Sequence, residues 1–189
     1  MTAKTMAARL RLIPARFTHH ALFMLLFMAC VSALAASPAA ATTMAHDPKG
    51  FHGIPWGSSL NETDFSVSHS GINITDYRLK NANGSPRLGG TDVDSIMFST
   101  VDNQFARVTI RYRGEQTHKK VLAYLEQTYG KIDRLPGQMT RGLNQQYNWR
   151  GPETEINLTY EGNLERGYIF IESRTLSPRF NDGLDDTGG

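Results

Sequence analysis

The 189-residue chain has a single cysteine, Cys30. One thiol excludes an intramolecular disulfide and a multi-thiolate metal site, so stability has to come from an apolar core. No apolar run reaches the roughly 20 residues that a bilayer-spanning helix requires. The phosphate-cradling patterns G-x-G-x-x-G and G-x-x-x-x-G-K-[ST] are missing, as are H-E-x-x-H and the G-x-S-x-G elbow, which removes the motif-level basis for nucleotide, zinc-protease or serine-hydrolase chemistry. Acidic residues are absent from the first 35 positions, where Lys4, Arg9, Arg11 and Arg16 stand.

That asymmetry introduces what is present. After the basic stretch an apolar run extends from Ala21 to Leu34 and closes on Ala33-Leu34-Ala35. A basic region, a short apolar helix and small residues at a cut site are the three parts of a secretory signal. Residues 1–35 therefore read as a cleavable signal, cut after Ala35, with Ala39-Ala40-Ala41 as a second site. The apolar run is too short for a permanent anchor. Cys30 is a candidate lipid-attachment site, but Phe27-Met28 is bulky before it and the apolar run continues past it. It reads as filler in the signal. The expected location is periplasmic or secreted, with lipid anchoring through Cys30 as the minor alternative.

Removing the signal changes the charge. The whole chain has 20 basic and 18 acidic residues; without the four leader cations, 16 face 18, a net charge of −2. The basic balance thus belongs to the leader and gives no argument for nucleic-acid binding. Residues 36–50 read as a flexible lead-in, 51–176 as one domain, and the polar, glycine-rich 177–189 as a disordered tail.

Within the domain, Gly50 to Gly57 reads as an extended segment seating Phe51, Ile54 and Trp56 in the core, and Ser58 or Ser59 as the cap of a brief helix over Leu60 to Phe65. Ile72 to Leu79 is a strand candidate, and Asn81 to Gly90 a loop. Ser95 to Val101 and Phe105 to Arg113 form a hairpin across Asp102-Asn103-Gln104. Ala106, Val108, Ile110 and Tyr112 alternate with Arg107, Thr109, Arg111 and Arg113, which marks one buried and one wet face. Glu115 to Tyr129 switches to helical spacing, with Val121, Leu122, Leu125 and Tyr129 in one stripe and Gly130 as the stop. Strands follow at about 145–150, 153–160 and 167–174. The fold class is α+β: an antiparallel sheet of five or six strands with one main helix across one face, in strands–helix–strands order.

Candidate chemistry is sparse. His46, Asp47 and His52 could clip a metal, and His118 with Glu115 could form a tuned base. Irregular placement argues against the first, and a solvated first helical turn accounts for the second. Arg107, Arg111 and Arg113 share the wet face of one strand and could take an anionic partner, unless Glu155 and Glu172 pair with them from neighbouring strands. Trp56 and Trp149 read as core, with an exposed Trp56 loop as the binding alternative. The sequons at Asn61, Asn73, Asn83 and Asn157 matter only in a eukaryotic secretory route. No catalytic residue, metal or cofactor is assigned.

Gly53-Ile54-Pro55-Trp56-Gly57, the Phe105 strand, Tyr129-Gly130, Trp149 and Ile156 to Tyr160 together resemble a group of small exported proteobacterial proteins with a G-I-x-W-G opening and a Y-G after the main helix. The resemblance covers about residues 51–174 and implies location and fold, with no catalytic residue, because the group has no assigned activity. The expected function is a non-catalytic envelope module that binds a protein or ligand through the arginine face or the Trp56 loop. The alternatives are a purely structural envelope protein and a small hydrolase or transferase using His52 or His118.

Overall fold

The computed structural model describes residues 42–80, 84–132 and 144–181. The expected signal, both cleavage sites and Cys30 lie outside these residues, as do Asn81 to Asn83 of the expected loop and the tail from Asp182. In chain order the strands are β1 (Thr42–Thr43), β2 (Gly50–Phe51), β3 (Ile54–Pro55), β4 (Phe65–Ser70), β5 (Ile74–Leu79), β6 (Arg87–Leu88), β7 (Thr91–Asp92), β8 (Ser95–Val101) and β9 (Gln104–Arg113). The helix α1 (Glu115–Tyr129) precedes β10 (Asn144–Arg150), β11 (Thr154–Glu161) and β12 (Arg166–Ser173). The α+β class and the strands–helix–strands order hold. The sheet, however, is larger than expected and mixed: among the described residues it has eight strands in the order β1-β10-β11-β12-β9-β8-β5-β4.

The two unexpected edge strands explain the difference. β1 runs parallel to β10, with Thr42 opposite Trp149, whereas every other pairing is antiparallel. Asp47 ties this lead-in down. Its carboxylate accepts N–H bonds from Lys49 at 3.0 Å, Glu153 at 2.6 Å and Thr154 at 3.2 Å. Gly151 makes room for it, since a Cβ there would lie 2.4 Å from Asp47 Oδ2. Partial burial raises the Asp47 pKa, but the hydrogen bonds from the Thr154 side chain and the three backbone N–H groups outweigh it and hold the carboxyl below the usual range. Residues 42–50 are thus part of the fold.

At the other edge, the expected helix over Leu60 to Phe65 is a turn. Asn61 Oδ1 accepts the Asp64 N–H at 2.9 Å, and Phe65 begins β4. An asparagine that satisfies a nearby backbone donor competes with helix propagation, and β4 then takes its stability from pairing with β5. The strand expected over Ile72 to Leu79 starts at Ile74, and Ile72 is fully exposed in the preceding turn.

The β8–β9 hairpin forms as its pattern requires. Asp102 and Asn103 both adopt positive φ, 48° and 62°, the backbone of a two-residue turn matched to strand twist. The alternation breaks at one place. Ser99 faces Arg107 while Thr100 faces Phe105, so Ala106 is an extra, bulged residue. Phe105 therefore joins Val108, Ile110 and Tyr112 in the main core. Ala106 enters a second cluster with Val101 and Phe180. Phe180 comes from a 3-10 helix, Ser177–Phe180, so the first residues of the expected tail are part of the fold. Burying such a side chain contributes about 1.5–3 kcal/mol.

The helix covers one face of the sheet. His118, Val121, Leu125 and Tyr129 are its buried residues. Gly130 ends it at φ 110°, and its carbonyl accepts the indole N–H of the fully buried Trp149 at 2.8 Å.

Candidate functional site: the uncovered face of the sheet

Strand register decides what the second face presents. Across it, Ser99, Arg107, Glu172, Glu155 and Arg150 form one row, and Met97, Thr109, Phe170, Asn157 and Asn148 the next. Ser95, Arg111, Tyr168, Thr159 and Gln146 form a third. The three arginines of β9 do share this face, but they differ in what they touch.

Arg107 is committed within the fold. It pairs with Glu172 at 2.7 Å, with side chains only 27% and 17% exposed, and its guanidinium lies 4.1 Å from the Phe180 ring centroid. Glu155 turns instead to Arg150 at 3.7 Å and accepts from Asn148 Nδ2 at 2.8 Å. Of the two expected partners, Glu172 alone meets a β9 arginine. Arg111 is exposed and has no ion pair among the described residues. Arg113 pairs with Asp94 at 3.2 Å, with both side chains largely exposed.

A third strand completes the cluster. Arg166 stands directly opposite Arg113, and Tyr168 opposite Arg111. These four residues and Asp94 line a depression of about 280 Å³. Glu161 is the register partner of Arg166 on the far side, yet no ion pair joins them. Three arginines thus line one corner, and among the described residues Asp94 is the one carboxylate paired with any of them. The Gly114 N–H donates to the Glu165 carbonyl at 2.9 Å, fixing the two loops that flank the corner. Arg166 was not singled out from the sequence, because its position opposite Arg113 depends on a pairing between strands more than 50 residues apart.

Trp56 belongs to the other face. It is half-buried, lies 4.8 Å from Phe105 between ring centroids, and donates its indole N–H to Thr154 Oγ1 at 2.9 Å. Trp56 and the arginines therefore cannot form one site.

The histidines separate in the same way. His118 does not lie in a solvated turn as expected: it is buried, stacked on Tyr160 with centroids 4.0 Å apart. Its Nε2 faces Gln145 Oε1 at 3.2 Å and its Nδ1 faces the Tyr112 hydroxyl at 2.7 Å. An amide oxygen only accepts, so Nε2 carries the proton and Tyr112 donates to Nδ1. Burial holds His118 below the usual histidine range, although Gln145 and the charge of Glu115 pull the other way. Burial, with Tyr160 and Tyr147 nearby, pushes the Tyr112 phenol up, so it remains a donor. Glu115 is spent on Lys119 at 2.7 Å. His52 sits at the tip of the β2–β3 turn, stacked on Phe51 at 4.2 Å. Neither imidazole is hydrogen-bonded to a carboxylate among the described residues. Asp47, the central member of the possible metal clip, is occupied by backbone donors.

Comparison with known proteins returns no matching family model, no matching curated protein and no matching solved structure. Among the described residues no helix is long and apolar enough to cross a membrane.

Proposed function

We propose that this protein is an exported, non-catalytic envelope module that binds an anionic group of a ligand or partner protein at the Arg111–Arg113–Arg166 corner. The carrying observation is the direct opposition of Arg113 and Arg166 across neighbouring strands, beside Arg111 and over a shared depression. Like charges placed opposite each other destabilise a sheet; a bound anion turns that cost into charge-assisted hydrogen bonds with planar, multi-donor groups. The basic leader, apolar run and A-x-A sites support export to the periplasm or beyond, and a cut after Ala35 or Ala41 leaves β1 in the mature chain. The lipid-anchored form through Cys30 is the alternative location.

The test is in-cell crosslinking with the tagged full chain in its native envelope, alongside a chain in which Arg111, Arg113 and Arg166 are all serine. A saturable partner lost in the triple variant supports the reading. An unchanged partner profile, or none at native abundance, contradicts it and favours a purely structural role.

A further inference from the structure

The sheet opens in its interior. β4 stays paired with β5 through Arg78 and Leu79, and β8 stays paired with β9 from Ser95 onward. Between them, the β5–β8 ladder stops at Tyr77 opposite Phe98. Beyond that point Arg78–Leu79 and Ser95–Met97 diverge, each unpaired on the side that faces the other. The Ser85–Arg87 segment and the His52 tip flank the gap, making an open pocket of about 520 Å³. That volume falls within the range of small-molecule pockets.

The lining has two chemistries. Leu79, Pro86 and Ile96 form an apolar wall. The rim carries Arg78, Arg87 and His52. Its acidic neighbours are already engaged: Asp92 holds Arg87 at 2.7 Å, and Asp94 holds Arg113 at 3.2 Å. Arg78 has no ion-pair partner and the His52 ring no hydrogen bond among the described residues. A pocket with an apolar wall, one uncommitted guanidinium and split strand edges suits a ligand with an aliphatic body and an acidic head.

We infer that the gap between β5 and β8 binds a small aliphatic carboxylate, its chain against Leu79 and Ile96 and its head at Arg78. This site adjoins the arginine corner, with Asp94 lining both, but Arg111, Arg113 and Arg166 are not part of its lining. The probes are butyrate, hexanoate and octanoate, titrated into the protein purified from expression of the full chain and followed by amide chemical shifts. Saturable shifts at Arg78, Ile96 and His52 are expected, with affinity rising roughly fourfold per buried methylene. Arg78→Ser is exposed and should leave the fold intact while weakening octanoate about tenfold or more; Arg111→Ser should leave octanoate binding unchanged. Affinity independent of chain length, an Arg78→Ser variant that binds as tightly as the parent, loss of octanoate binding in Arg111→Ser, or no saturable binding would each overturn the inference. Only the third outcome would point to the corner as the true site, so failure here is distinguishable from failure of the proposed function.

Discussion

Arg113 and Arg166 face each other directly across the β9–β12 ladder, and Asp94 pairs with only the first of them. A fold selected for stability alone has no use for this arrangement. Replacing Arg166 with Ser or Thr should therefore raise stability by about 0.2–1 kcal/mol while weakening anion binding. The gain should shrink at high salt, because both side chains are solvent-exposed and screened. Urea denaturation of parent and variant at low and high ionic strength measures it; a clear loss of stability would show that Arg166 is satisfied within the fold.

Asp47 joins the lead-in to the Gly151–Thr154 turn. Asp47→Ala should cost about 1.5–3 kcal/mol, the range for losing hydrogen bonds to a charged group. The folded-state pKa is depressed, so this contribution is complete above the unfolded value of 3.8 and is lost as pH falls through the lower folded value. Parent and Asp47→Ala stability curves should converge on acidification. Parallel curves down to acid pH would contradict the assignment.

Buried His118 gives a second pH dependence, in a higher window. The fold favours its neutral form, so the unfolded chain binds more protons below the ordinary histidine value of 6.5. Its contribution is full above that value and declines as pH falls toward the depressed folded pKa. The urea midpoint should drop between pH 7.5 and pH 5.5, windows chosen about one pH unit to either side of histidine titration. His118→Gln should flatten that slope. An equally steep slope in the variant would place the titrating group elsewhere.

Gly167 lies beneath the Tyr112 ring, and a Cβ at that position would fall 1.9 Å from Tyr112 Cζ. Gly167→Ala should cost about 1–3 kcal/mol or more by overpacking. It should also disturb the Tyr112–His118 hydrogen bond, visible in the His118 ring resonances. Retained stability with unshifted resonances would mean that the strand can give way there.

The elements legible in the sequence were those whose periodicity is their own. The helix shows its stripe from Val121 to Tyr129, and the β8–β9 hairpin shows alternation around Asp102-Asn103. The edge strands were not legible, because Thr42–Thr43 and the polar β4 have little apolar pattern and gain their stability from partners. Ala106 was misplaced because a bulge resets the alternation without a local composition signal. His118 looked solvated because its partners, Tyr112, Gln145 and Tyr160, come from three different strands. The arginine pattern of β9 was visible, but the register separated its members: Glu172 took up Arg107, while Arg166 joined the other two.

The most direct measurement is a titration of the protein with inorganic phosphate, followed through arginine side-chain resonances. Binding at the corner predicts saturable shifts of Arg111, Arg113 and Arg166, little change at Arg107, weakening with added salt, and loss of saturation in Arg166→Ser. Shifts that never saturate, or that spread evenly over all the arginines, would contradict an anion-binding corner.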